Sequence, residues 1–227
     1  MRRPLRALST VLIVAGALML GDAALTVAWQ EPVSALYAQL VQDRLSDDLR
    51  ALELAQPSSV DLAALRALDG QRTRMAFLAR SLRRSAKRGA AIGRIRIKRI
   101  GVNMVFVNGT DTASLRKGPG LYDEAPFPGV PGTVAIAGHR TTYLAPFRRI
   151  DKLRAGNEIV LEMPYGRFVY VVQQTRIVDP SEVSVVRRVA YDRLVLSACH
   201  PLYSAAKRFI VFARFVSAQP RGAALRA

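Results

Sequence analysis

The periodicity of the apolar residues changes once along this 227-residue chain, near Ala91, and that change limits the available folds more than any other feature. Downstream, Val102, Met104 and Phe106 fall on alternate positions before Asn108-Gly109, a dipeptide whose tolerance of positive φ favours a tight turn. Similar apolar runs follow in "TVAIAGH", "NEIVLEM", "RFVYVVQQTRIV", "DRLVLSAC" and "RFIVFARFV", separated by Gly and Pro clusters such as "FPGVPG". Neighbouring side chains on a strand face opposite sides of the sheet, so many short strands with few long helices predict a closed or nearly closed β-barrel. The predicted barrel spans residues 91–217, and the tail 218–227 is expected to be disordered.

Upstream the spacing is helical. Tyr37, Val41, Leu45, Leu49 and Leu52 recur among charged residues until Pro57-Ser58-Ser59 interrupts them, and further helices are expected at 60–68 and 75–82. Between Arg72 and Arg99 every charged side chain is Lys or Arg, within a formal net charge of +17. Phe77 is the one aromatic residue there, so platforms for stacking bases are missing. Residues 31–90 therefore read as a helical, basic stalk and linker beside an anionic membrane or wall, with no nucleic-acid partner.

Residues 1–30 supply the reason for a stalk. Arg2, Arg3 and Arg6 precede a mostly apolar stretch from Ala7 to Trp29, which at about 1.5 Å per residue can cross a ~30 Å hydrocarbon core. Cationic flanks stay cytoplasmic, which places the remainder outside the cell with Trp29 at the outer interface. A cleaved signal peptide ending at Thr26-Val27-Ala28 is the alternative, but the apolar run continues past Asp22 and favours a retained anchor. Asp22 itself reads as a protonated or snorkelling side chain.

Chemistry concentrates on "LSACHP". Cys199 is the sole cysteine, so it forms no disulfide within the chain, and one cysteine with two histidines is too few for a zinc site. No metal or cofactor is expected. Strand alternation directs Cys199 and His200 to opposite faces, leaving His139, at the end of "GTVAIAGH", as the better base for the thiol. Ser197 shares the Cys199 face. Arg208 opens the next strand, and antiparallel pairing would return its guanidinium to the thiol as a donor for a developing oxyanion, with Lys207 facing away. On the residues alone, Cys199 is either this nucleophile or a structural thiol.

The segments "LRKGPGLY", "VAIAGHRTTYLAPF", "LSACHP" and "KRFIVFAR", with the N-terminal "GDAALTVAWQEPVSALYAQ", resemble the class E sortases, cysteine transpeptidases of Gram-positive actinobacteria. The resemblance runs from about Ile92 to Val216. It implies an eight-stranded barrel with short helices and a catalytic trio of His139, Cys199 and Arg208. It further implies a sorting-signal groove bordered by Thr142, Tyr143, Ser197 and Ala198. The implied partners are surface proteins bearing a C-terminal sorting signal, cleaved between Thr and Gly, and the amine of a lipid-linked cell-wall precursor. Tyr143 is implicated in preferring Leu-Ala-X-Thr-Gly over Leu-Pro-X-Thr-Gly. Two departures stand out: Ser197-Ala198 replace the usual Thr-Thr, and Leu144 replaces a common glycine. A pilus-type sortase, an L,D-transpeptidase-like enzyme and a non-catalytic wall-binding protein are the competing readings.

Overall fold

Eight strands close into one barrel in the order β1-β2-β3-β4-β7-β8-β6-β5. The computed structural model describes residues 2–28 and 32–226, so Trp29 lies outside the described residues. The strands are β1 (Ala91–Ile97), β2 (Val102–Asn108), β3 (Gly120–Leu121), β4 (Thr133–Ala137), β5 (Glu158–Met163), β6 (Gly166–Val178), β7 (Arg193–His200) and β8 (Lys207–Pro220). β2 with β3 and β4 with β7 pair in parallel, and the other neighbours are antiparallel. Closure leaves a tightly packed interior in which Ile95, Phe106, Ile136, Phe147, Phe168 and Leu196 are at most 1% exposed. Each such side chain contributes about 1.5–3 kcal/mol by leaving water.

The helices are α1 (Arg2–Ala28), α2 (Pro32–Leu54), α3 (Ser59–Ala67), α4 (Gln71–Ser85), α5 (Thr112–Leu115) and α6 (Ala223–Arg226). Within α1, Arg6–Ala23 is long and apolar enough to be a candidate membrane span. The break expected at Pro57-Ser58-Ser59 is a helix start: the Ser58 hydroxyl accepts from the Asp61 N–H at 3.1 Å and caps α3.

The supposed stalk is folded onto the barrel. Leu45 and Leu49 of α2 pack on Ala91, Val105 and Val107, while Met75 and Ala79 of α4 enter the main core. Gln42 explains the docking of α2. Its amide accepts from the Val105 N–H at 2.8 Å and donates to the Val105 carbonyl at 2.9 Å, satisfying both groups as a neighbouring strand would. The same Nε2 donates to the Lys117 carbonyl at 2.8 Å and so fixes the segment after α5. Part of the basic stretch is tied to the barrel by surface ion pairs, with Arg88 on Asp123 and Arg96 on Glu162.

The expectation of a disordered tail is also corrected. β8 pairs with β6 out to Pro220, and α6 then packs on α4 with Ala224 in the core. Polar, small-residue composition suggested a free end, yet the backbone ladder and one buried methyl group hold it.

Candidate active site

Pairing register assembles the site at one end of the barrel. β7 and β8 run antiparallel with Cys199 directly opposite Arg208, so their side chains emerge on one face with Cβ atoms about 4.5–5.5 Å apart. β4 and β7 run in parallel with Ala137 opposite Ser197, and the Gly138 N–H extends the match by donating to the Ser197 carbonyl at 3.0 Å. His139 follows Gly138 directly, just beyond the last rung of that ladder.

His139 does not end the strand as expected. β4 stops at Ala137, because the His139 carbonyl accepts from the Phe147 N–H at 2.9 Å and the chain turns away from the ladder. Gly138 permits that turn: a Cβ there would lie 2.6 Å from the Phe147 ring, which is fully buried. His139 is thus held by a loop wrapped over a core phenylalanine.

Within the site, the Cys199 thiol is free and half-buried. His139 Nε2 is buried and has no hydrogen-bond partner among the described residues, a costly state that an incoming proton donor or acceptor would relieve. Arg208 is half-buried, and its Nη1 donates to the Ala205 carbonyl at 2.9 Å and the Lys207 carbonyl at 3.1 Å. A guanidinium carries five donors, so this anchoring leaves others for a substrate oxygen. Lys207 instead pairs with Asp179 at 2.7 Å. His200 is directed elsewhere: its ring lies 5.9 Å from that of Phe209, and its Nδ1 lies 3.3 Å from Arg140 Nη1.

The substrate-contact expectations divide. Tyr143 stacks beside the proposed base, with its ring centroid 5.5 Å from that of His139, and Thr142 is half-exposed in the same loop. Ser197 and Ala198 are 4% and 3% exposed, so neither is open to a peptide in this structure. Ala198 requires a correction: alternation turns it away from Cys199 and into the core cluster. Leu144 also acquires a physical meaning. Its φ is 61°, within a run of left-handed residues from Tyr143 to Ala145, and glycine would occupy that conformation without the Cβ clash.

Two arginines escaped the sequence reading. Arg116 sits in the quoted "LRKGPGLY" segment, and its guanidinium lies 5.9 Å from the Tyr143 ring centroid. Burial first, and the Arg116 charge second, hold the His139 imidazole below its ordinary pKa. Arg140 is only 5% exposed and reaches the backbone of Cys199. Neither contact has a local sequence signal, since each joins loops far apart in the chain.

A family model described as a sortase domain matches residues 95–216. The chain belongs to the sortase family. It is 33% identical over 133 residues to Sortase D of Bacillus subtilis, covering 57% of this chain and 66% of that protein. It is 34% identical over 99 residues to Sortase SrtE1 of Streptomyces coelicolor, covering 40% of this chain and 28% of that one. A solved structure of sortase E from Streptomyces avermitilis superposes with a TM-score of 0.54 at 34% identity, over 59% of this chain and 93% of the other.

In this sortase, a cavity of about 340 Å³ lies at the opposite end of the barrel, between α4 and the beginnings of β4 and β7. His139, Cys199 and Arg208 take no part in its walls. Arg116→Gln tests the electrostatics around His139. Removing the cation withdraws one of the two causes that depress His139, so the acid limb of the kcat/KM profile should move to higher pH. An unmoved limb would show that burial alone sets the imidazole.

Proposed function

We propose that this sortase is a membrane-anchored cysteine transpeptidase of the class E type, acting outside the cell on C-terminal sorting signals. The observation that carries this reading is the register that sets Cys199 opposite Arg208, with His139 two residues beyond Ala137, the β4 partner of Ser197. The Cys199 thiol gives its proton to His139 Nε2 as its sulfur attacks the threonine carbonyl carbon, and the resulting oxyanion is met by the planar fork of Arg208. His139 Nε2 delivers a proton to the glycine nitrogen as the Thr–Gly bond breaks, leaving a thioester. An amine on a cell-wall precursor then attacks that thioester and gives a proton to His139, which passes it to the Cys199 sulfur as the C–S bond breaks, leaving an amide and the thiol. Arg6–Ala23 provides the anchor, and the +17 charge suits an environment of anionic lipid and wall polymer.

Mass spectrometry of the chain incubated with Leu-Ala-X-Thr-Gly and Leu-Pro-X-Thr-Gly peptides tests the reaction and the signal together. An acyl adduct on Cys199 that disappears on addition of an amine is the expected result. The alanine peptide should have the higher kcat/KM, because the Tyr143 hydroxyl can accept a backbone N–H that proline lacks. Tyr143→Phe should narrow that preference by roughly ten- to a hundredfold without abolishing activity. Comparable kcat/KM for the two peptides in the unmodified enzyme would remove Tyr143 as the selector.

Arg208→Lys isolates the fork from the charge. Lysine can pair with an oxyanion but cannot hold two backbone carbonyls and a substrate oxygen with one rigid plane. A fall in turnover of roughly 10²-fold is expected from single-turnover kinetics. Near-normal turnover would mean that a point charge suffices.

A further inference from the structure

The structure assigns a positioning role to Arg140: its buried guanidinium locks the loop that carries His139 to the backbone that presents Cys199, and holds His200 out of the proton path. The inference rests on Cys199 being the nucleophile. Arg140 follows His139 directly in the chain, so any restraint on its side chain is transmitted to the proposed base through one peptide bond.

Every nitrogen of the guanidinium has a partner. Nη1 lies 3.4 Å from the Cys199 carbonyl and 3.3 Å from His200 Nδ1. Nε and Nη2 approach the Arg148 carbonyl at 3.4 and 3.2 Å, and Nη2 also pairs with Asp151 Oδ1 at 3.2 Å. One side chain therefore ties together the end of β7, the loop after β4 and the turn at Asp151. Lysine could not reach three directions from a fixed plane.

The contact with His200 fixes a tautomer. A guanidinium has no acceptor, so the His200 Nδ1 must accept and the ring proton must sit on Nε2. Its ring is also packed beside Phe209, on the face away from the Cys199 and Arg208 pair. The imidazole adjacent in sequence to the nucleophile is thus committed to Arg140, and proton transfer is left to His139.

Stability is a poor reason for such a group. Replacing a buried ion pair with apolar side chains is often neutral or stabilising, whereas a clamp on both reacting loops has a direct use in alignment. Arg140 is itself only 5% exposed although its partner Asp151 is 38% exposed.

Arg140→Lys in the full chain, kept in detergent micelles, tests the proposal. It retains the charge for Asp151 but loses the fork. Peptide cleavage should show kcat reduced about tenfold or more with KM within about twofold, since misalignment of reacting groups affects the chemical step. The rate of Cys199 alkylation by iodoacetamide at neutral pH, which needs no peptide, should fall by a similar factor. Unchanged kcat and alkylation in a folded Arg140→Lys protein would overturn the proposal. Nitrogen NMR of the unmodified chain labelled at its two histidines provides a check independent of any variant. His200 should carry its proton on Nε2, and a proton on Nδ1 would equally overturn the assignment. If no sorting peptide is cleaved, the transpeptidase reading fails, while alkylation and NMR still decide the role of Arg140.

Discussion

Cys199→Ala should leave the barrel folded and reduce both peptide cleavage and amine transfer by at least about 10³-fold. There is one thiol in the chain, so no second thiol can take over. Cys199 is half-buried at the end of β7, where its backbone is held by pairing with β8 and its side chain faces outward with Arg208. Exchanging the thiol hydrogen and sulfur for a hydrogen leaves these ladder contacts in place, so the melting temperature should change little. What disappears is the covalent route. The acyl adduct seen by mass spectrometry should be absent, and the slight residual cleavage would reflect orientation and oxyanion contacts alone. Transfer well above background in this variant would exclude a thioester at Cys199.

How legible this protein was depends on whether a contact is local. Leu45 and Leu49 face one side of α2 at a spacing visible in the sequence, and the strands β4 to β8 follow apolar runs bounded by Gly and Pro. The opposition of Cys199 and Arg208 was legible for the same reason, because two adjacent strands joined by a short loop pair antiparallel. The docking of α2 was not. It depends on the Gln42 amide meeting Val105 and Lys117, and nothing near Gln42 announces a partner more than sixty residues away. Arg116 and Arg140 were missed on the same physical ground. Arginine in a loop reads as solvated surface, and only the closed barrel reveals one above Tyr143 and the other beneath Cys199. Ala198 failed differently: being next to the nucleophile in sequence does not put a side chain in the groove when alternate residues face opposite sides. The tail read as free because its composition is small and polar, whereas pairing along β6 is a backbone property that composition does not encode.

His139→Ala should be nearly as damaging as loss of the thiol, with kcat/KM down by about 10²–10⁴-fold, while His200→Ala should cost only several-fold. The two histidines differ in where the fold directs them. Among the described residues His139 presents a buried, unpartnered Nε2, whereas His200 turns to Phe209 and gives its Nδ1 to Arg140. Removing His200 deprives Arg140 of one acceptor but leaves it the carbonyls of Cys199 and Arg148 and the carboxylate of Asp151. Equal losses in the two variants would reject this division of roles. The variants should also separate in their response to acid. Burial and the Arg116 charge depress the folded-state pKa of His139 below the ordinary imidazole value near ~6.5, so between these two values the unfolded chain binds more protons. The stability linked to His139 is therefore complete above the unfolded pKa and is lost as pH falls through that window. Melting curves at neutral and mildly acidic pH should show the unmodified protein and His200→Ala losing more stability on acidification than His139→Ala. If His139→Ala shows the same acid sensitivity as the unmodified chain, then the depressed imidazole is not at this position, and the assignment of His139 as the buried base of the site fails with it.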